Sequence, residues 1–508
     1  MSEATDEAAW QQLDRRTLGV TAGVLAGVAI AAGVPTTTGV VNGGGSLGLT
    51  LAFVLPGALL LIGGGAFADY LRLRKTFYRV TSTKIELRSG ILQRKHRAVH
   101  RQRIRAVDIT ANPLYRVFGV AKVSIGTGEH AESQGSQLSL DAVSRPVAEA
   151  LRTELLFSSV PAGTAADEEP GERPAIAELD WKWLRYTPFS VWPGVLGLAV
   201  CGAAWQVSDW FGLEKSLINQ VGEAIREQSL WLLVPLAALV VVVVGLIAAL
   251  GFFAESWWNY RLRREPGGMF ALHRGLLIHR SLSVTEDRLR GIERVEPFGA
   301  RMVGAGRLEA VATGIKQNRP DQMAEESKVL MPEAPREHAD AVAADILREP
   351  EPPTSAPLVV HPRAALRRRL TWAFAAVLAI EGVLVTLGAT TTTVLLHIAW
   401  ISAIVLVPLA VFMAMQTYWN LGHGSTGKYL VIRYGIMARR TAALRRSGVI
   451  GWTVRQTPLQ RRAGLVTIAA TTAANSGAYT ARDAAENEAL GYAGEMVPGL
   501  LAPFLERC

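Results

Sequence analysis

The residues with most chemistry to offer are cationic. Between Tyr70 and Arg105 there are twelve Lys or Arg against one acid, Glu86, and between Ala438 and Arg462 seven Arg and no acid. Such runs suit phosphate-bearing surfaces, and each cation near an anionic leaflet contributes about 1 kcal/mol within a Debye length. Arg94, Lys95, Arg97, Arg101, Arg103 and Arg105 lie away from any apolar span and are candidates for binding lipid headgroups or a partner. Arg116, Arg301 and Arg461 join them because they recur at one position of an internal repeat, although a recurring arginine equally suits capping a turn. His96 and His100 are four apart, a metal spacing on a helix, but the local pattern is not helical and the surrounding cations oppose a metal. The GTGEH at 126–130 lacks the lysine and following helix of a phosphate loop, and no HExxH or Walker pattern occurs. Cys201 and Cys508, the only two cysteines, support neither a disulfide framework nor a structural zinc. The expectation is no enzyme, no cofactor and no metal.

Composition chooses between the possible anions. The 508 residues are 49% hydrophobic and 19% charged, with a net charge of +9, and the mean hydropathy is +0.21. These values disfavour an ordinary soluble enzyme and a disordered chain. A bilayer core needs roughly 20 apolar residues in a helix. Six stretches are read as spans, at 17–34, 47–68, 188–206, 230–254, 370–388 and 394–416. They favour lipid, so no nucleic acid is expected. Glu381 sits in the middle of the fifth, where a carboxylate is expensive and often functional, with His397 of the sixth as its candidate partner.

Arg and Lys crowd the outer ends of each pair of spans, while residues 35–46 and 389–393 between paired spans carry no charge. By the positive-inside rule each pair turns on the outside, and both termini and the polar segments are cytoplasmic.

Each pair precedes a basic segment with β-type alternation. Gly90 and Gly119, Gly275 and Gly304, and Gly435 and Gly464 are each 29 residues apart, and in that frame Arg116, Arg301 and Arg461 coincide, as do Arg88, His273 and Arg433. Strands come first and one helix last, beginning at Ser144-Arg145-Pro146 in the first copy. The expected organisation is a hairpin at 17–68 with a domain at 70–157, a linker at 158–180, a hairpin at 188–254 with a domain at 257–348, a linker at 349–362, and a hairpin at 370–416 with a domain at 418–508. The linkers are rich in Pro, Ala and acid and read as flexible spacers.

The strand with its glycine turn, the RIRAVDI strand, NPLYRVFGVAKVSI and the closing SLDAVSRPVAEALRTEL resemble the bacterial PH-like, membrane-flanked domain family. The threefold arrangement resembles its larger, YdbT-type members. The resemblance implies a multi-pass helical membrane protein with six spans as three hairpins and three cytoplasmic α+β PH-like domains, each an antiparallel β-sandwich or barrel with a C-terminal helix. It also implies bacterial inner-membrane localisation, a smaller single-domain membrane protein of the same family as partner, and a link to tolerance of membrane-active peptides. The functional expectation is a non-enzymatic scaffold binding that partner, anionic inner-leaflet lipid, or both. The alternative is a component of a lipid or peptide transporter.

Overall fold

The computed structural model describes residues 9–90, 94–101, 104, 106–126, 138–157, 174–210, 230–265, 268–313, 328–474 and 477–497. They fall into two compact units, residues 1–286 and 287–508.

The first unit begins with β1 (Gln11–Gln12), α1 (Thr17–Asn42), α2 (Leu47–Arg74), β2 (Phe77–Val80), β3 (Lys84–Ser89) and β4 (Lys95–His100). It continues with β5 (Ala106–Ala111), α3 (Pro113–Val117), β6 (Val120–Gly126), β7 (Leu138–Ser144), α4 (Arg145–Phe157) and β8 (Ala177–Glu178). After α5 (Trp192–Trp210) and α6 (Leu230–Trp257) come β9 (Arg261–Glu265), β10 (Met269–Arg274) and β11 (His279–Thr285).

The second unit holds β12 (Leu289–Glu296), α7 (Phe298–Met302), β13 (Ala305–Ala312), β14 (Val329–Pro335) and α8 (Arg336–Leu347). There follow α9 (Arg363–Thr390), α10 (Val394–Trp419), β15 (Gly422–Thr426), β16 (Tyr429–Tyr434) and β17 (Arg439–Arg445). It ends with β18 (Val449–Arg455), α11 (Pro458–Arg462), β19 (Leu465–Thr472), β20 (Ala478–Ala485) and α12 (Glu486–Met496).

Among the described residues five helices, α1, α2, α6, α9 and α10, are long and apolar enough to cross a membrane. Many of their apolar side chains are exposed, Leu60 by 76%, Trp231 by 88% and Ile404 by 72%. Such surface is stable only in lipid. The third expected span differs from the other five. A 3-10 segment, Trp181–Phe189, meets α5 at 76°, and only the bent pair together is long and apolar enough. Pro188 lies at the end of the first piece and Pro193 at the start of α5, so backbone donors are missing on both sides of the bend.

The sheets do not respect the sequence repeat. β1 to β4 form one sheet, in that order, and β18-β19-β20 another. Between them in sequence, β7-β6-β5 continues directly into β11-β10-β9-β8, and β14-β13-β12 into β17-β16-β15. Successive copies are joined: the second half of one copy and the first half of the next share a sheet, twice. The register is the same at both junctions: Ala106 to Ala111 run opposite Val284 to His279, and Gly291 to Glu296 opposite Leu444 to Arg439.

In the first unit Tyr78, Ile85 and Leu87 share a core with Val107, Val123, Ile125, Leu140, Leu151 and Leu155, so the first sheet packs across β5 to β7 and α4 covers them. In the second unit Leu430, Ile432 and Leu444 share a core with Val466, Ile468, Tyr479, Ala489 and Ala493. Each fully buried aliphatic or aromatic side chain contributes about 1.5–3 kcal/mol.

The described parts of the expected spacers, 174–180 and 349–362, hold structure, while 158–173 lie outside the described residues. Ala177 pairs with Leu262 and Val359 with His423, just as Gln12 pairs with Phe77. A segment ahead of each hairpin thus covers the first strand after it. Within 349–362, Thr354 donates to Asp340 at 2.5 Å and the His361 carbonyl accepts from Tyr418 at 2.9 Å.

Candidate functional site

Several of the cations that the sequence offers are paired within the fold. On β2 and β3, Arg79 and Lys84 hold Glu86, which is 2% exposed. The hydrogen bond from Lys84 outweighs the cost of burial and keeps the Glu86 carboxyl below its ordinary range. Arg101 pairs with Glu154. In the second basic run, Arg439 binds Glu296 through two bonds of 2.9 Å and Arg440 lies 3.4 Å from both Glu293 and Glu309. Among the described residues, acids therefore fold against parts of both runs.

Of the candidates, Arg94 and Lys95 are exposed and Arg97 is half-buried. Lys95 and Arg97 lie on β4 itself. Arg103 and Arg105 lie outside the described residues. His96 and His100 also fall on β4, where residues four apart are about 13 Å apart. Glu381 accepts from Ser402 Oγ at 2.9 Å, so its partner is Ser402 rather than His397.

Two of the three recurring arginines, Arg116 and Arg301, hold turns. Arg116, at the end of α3, donates to the Leu276 carbonyl at 2.5 Å, next to the Gly275 turn. Arg301 donates to Asn420 at 2.7 Å and Gln416 at 2.5 Å, and Asn420 in turn donates to the carbonyls of Gly435 and Ile436. Arg461 is exposed. Among the described residues its side chain has no partner.

Arg116 also lines a cavity. Beside the β5–β11 junction, a partly open cavity of about 630 Å³ is lined by Arg116, Arg145, Arg274 and Arg280, by His273 and His279, and by Trp258 and Asn259 just beyond α6. One acid, Glu149, shares the wall, and Arg145 lies 3.2 Å from it. The Arg274 guanidinium sits 4.2 Å over the Trp257 ring, a cation–π contact that fixes its direction. Burial pushes the His279 imidazole below its ordinary range, and the charges of Arg116 and Arg145 push it further. His279 is therefore neutral near pH 7, leaving four guanidinium charges against one carboxylate. The arrangement fits an anion with several oxygens. Arg145, Arg274, Arg280 and His279 were missed in sequence because three separate elements bring them together; only the coincidence of Arg88, His273 and Arg433 pointed there.

Apolar helices long enough to cross a membrane, followed by small antiparallel β-domains, define the class of the fold. The bacterial PH domain family, bPH_2, matches residues 23–157 and 374–492, together half of the chain. The chain belongs to that family. Each match runs from an apolar hairpin through the domain after it. No curated protein and no solved structure matches the chain.

Proposed function

We propose that the protein is a non-enzymatic scaffold of a bacterial inner membrane, and that the cavity beside β5 and β11 binds an anionic lipid headgroup of the inner leaflet. In this reading three hairpins, the bent 181–210 pair supplying the sixth span, tether three PH-like domains to the cytoplasmic face, as in YdbT-type members. The accumulation of Arg and Lys at the outer ends of the spans supports that orientation. A smaller single-domain membrane protein of the same family is the expected partner.

One observation carries the headgroup assignment: Arg116, Arg145, Arg274 and Arg280 surround a cavity whose wall includes Trp258, the residue directly after α6. A tryptophan at the end of an apolar helix sits at headgroup depth. Phosphate there gains charge-assisted hydrogen bonds and is within reach of a lipid without leaving the bilayer. Transport is the weaker reading, since the Glu381 carboxylate is already bonded to the neighbouring helix.

The test uses the full chain in zwitterionic nanodiscs doped with either phosphatidylglycerol or labelled phosphatidylcholine, with retained lipid counted by native mass spectrometry. Selective retention of phosphatidylglycerol, lost in Arg145→Glu/Arg280→Glu, is expected. Equal retention of both lipids by the native chain would overturn the assignment.

A further inference from the structure

β18 occupies the place of β5 and β12 in the 29-residue glycine frame but lacks their pairing. β5 carries β11 and β12 carries β17, each added strand being the one that follows a glycine turn, Gly275 or Gly435. β18 ends its own sheet, and among the described residues no strand pairs with its outer side. β12 is buried along nearly its whole length, whereas Thr453, Val454 and Arg455 of β18 are exposed, and Ile450 is 62% exposed. Edge strands are normally blunted by lysine, proline or brevity. β18 has seven residues, with neither lysine nor proline.

Arg461 marks the same place independently. Arg116 and Arg301 reach past their own strands to the turn of the copy that is added, through the Leu276 carbonyl and through Asn420. Arg461 stands at the equivalent position on α11, exposed, with no side-chain partner among the described residues.

The chain also carries the complementary half. β4 follows the Gly90 turn, as β11 and β17 follow theirs, and it is the last strand of its sheet. Among the described residues no strand pairs with its outer side.

We propose that β18 of one chain pairs with β4 of a second copy of this chain, in the register of the two internal junctions, so that copies add head to tail. Continuity chooses the occupant: β4 is a strand of the required type whose outer edge carries no strand. The shared register puts Val99 opposite Gly451, Ala98 opposite Trp452 and His96 opposite Val454, and brings Arg461 to the Gly90 turn. Lys95 falls opposite Arg455, a like-charge pair that weakens the contact. Lys95→Glu therefore strengthens it, and Arg461→Glu weakens it. Because such a contact is heterologous, it builds a ring or an open filament rather than a closed dimer.

The experiment uses the full chain in membranes, with Cys201→Ser and Cys508→Ser. Two differently tagged copies are co-expressed, one with His96→Cys and one with Val454→Cys, and oxidised. A disulfide-linked heterodimer is expected, with yield raised by Lys95→Glu and lowered several-fold by Arg461→Glu. His96→Cys with Thr453→Cys should give none, because a one-residue step turns the side chain to the opposite face. Ala98→Cys with Trp452→Cys provides a second in-register pair. No heterodimer from either in-register pair would overturn the proposal. So would a disulfide that forms only when both cysteines share one chain.

Discussion

Arg439 and Glu296 meet through two parallel hydrogen bonds across the ladder that joins β17 to β12. Glu296 is 1% exposed, with Arg336 at 3.3 Å and Arg294 at 3.5 Å. Burial alone would raise its carboxyl, but the bonds and charge of Arg439, with Arg294 and Arg336, hold it below the ordinary carboxylate range. Removing one partner of such a pair leaves a buried charge short of its bonds, at a cost of about 3–5 kcal/mol. Arg439→Ala is expected near the lower end, because Arg336 and Arg294 remain. Arg439→Leu/Glu296→Leu should recover most of that loss. Unfolding midpoints of the full chain in detergent check both; an unchanged midpoint for Arg439→Ala would show that the pair holds nothing together.

The buried imidazoles of His361 and His423 make a second contact, with 3.1 Å between Nε2 and Nδ1. Burial, then the neighbouring His423, pushes His361 down to about 4. In the unfolded chain a histidine titrates near 6.5. The unfolded state therefore binds the extra proton between those values. Stability from this group is fully present above about pH 6.5 and declines as pH falls toward 4. The unfolding midpoint should fall across that window, and His361→Gln should flatten the slope. An identical slope in the variant would remove His361 as the cause.

Much of this organisation was legible in sequence because it rests on local pattern. Continuous apolarity located the five long helices, alternation located the strands, and the glycine frame aligned them. The sheet junctions were not legible, since β5 carries no mark saying that its neighbour is β11 rather than β4. The acids that neutralise Arg439 and Arg440 lie more than 100 residues earlier, at Glu293, Glu296 and Glu309. A window along the chain sees an unbroken basic run where the fold makes ion pairs. The cavity stayed hidden for the same reason, with Arg116 and Arg280 brought together only by the β5–β11 ladder.

The glycine turns are strictly required. Gly275 and Gly435 have φ of +105° and +123°, and an added Cβ would lie 2.0 Å from the Ile278 carbonyl oxygen and 1.9 Å from that of Ala438. Backbone must move in either case. Gly275→Ala and Gly435→Ala should each destabilise by more than the roughly 0.4–1 kcal/mol that such a replacement gains where the backbone is compatible. Gly451, whose Cβ would meet nothing within 4 Å, should accept alanine with little change in unfolding midpoint. Equal effects at all three positions would refute the turn argument.

Glu381 gives the sharpest separation between helix packing and transport. Its carboxylate accepts from Ser402 Oγ, and that hydroxyl also lies 3.0 Å from the Ala399 carbonyl. The serine therefore keeps an acceptor when the carboxylate goes. Hydrogen bonds between membrane helices average about 0.6 kcal/mol, so Glu381→Gln should stay within about 1 kcal/mol of the native chain. A packing role also predicts that cells carrying Glu381→Gln keep their native tolerance of membrane-active peptides. Loss of tolerance at unchanged protein level and unfolding midpoint would assign the carboxylate a proton- or substrate-handling role instead, and would move the functional centre from the basic cavity into the third hairpin.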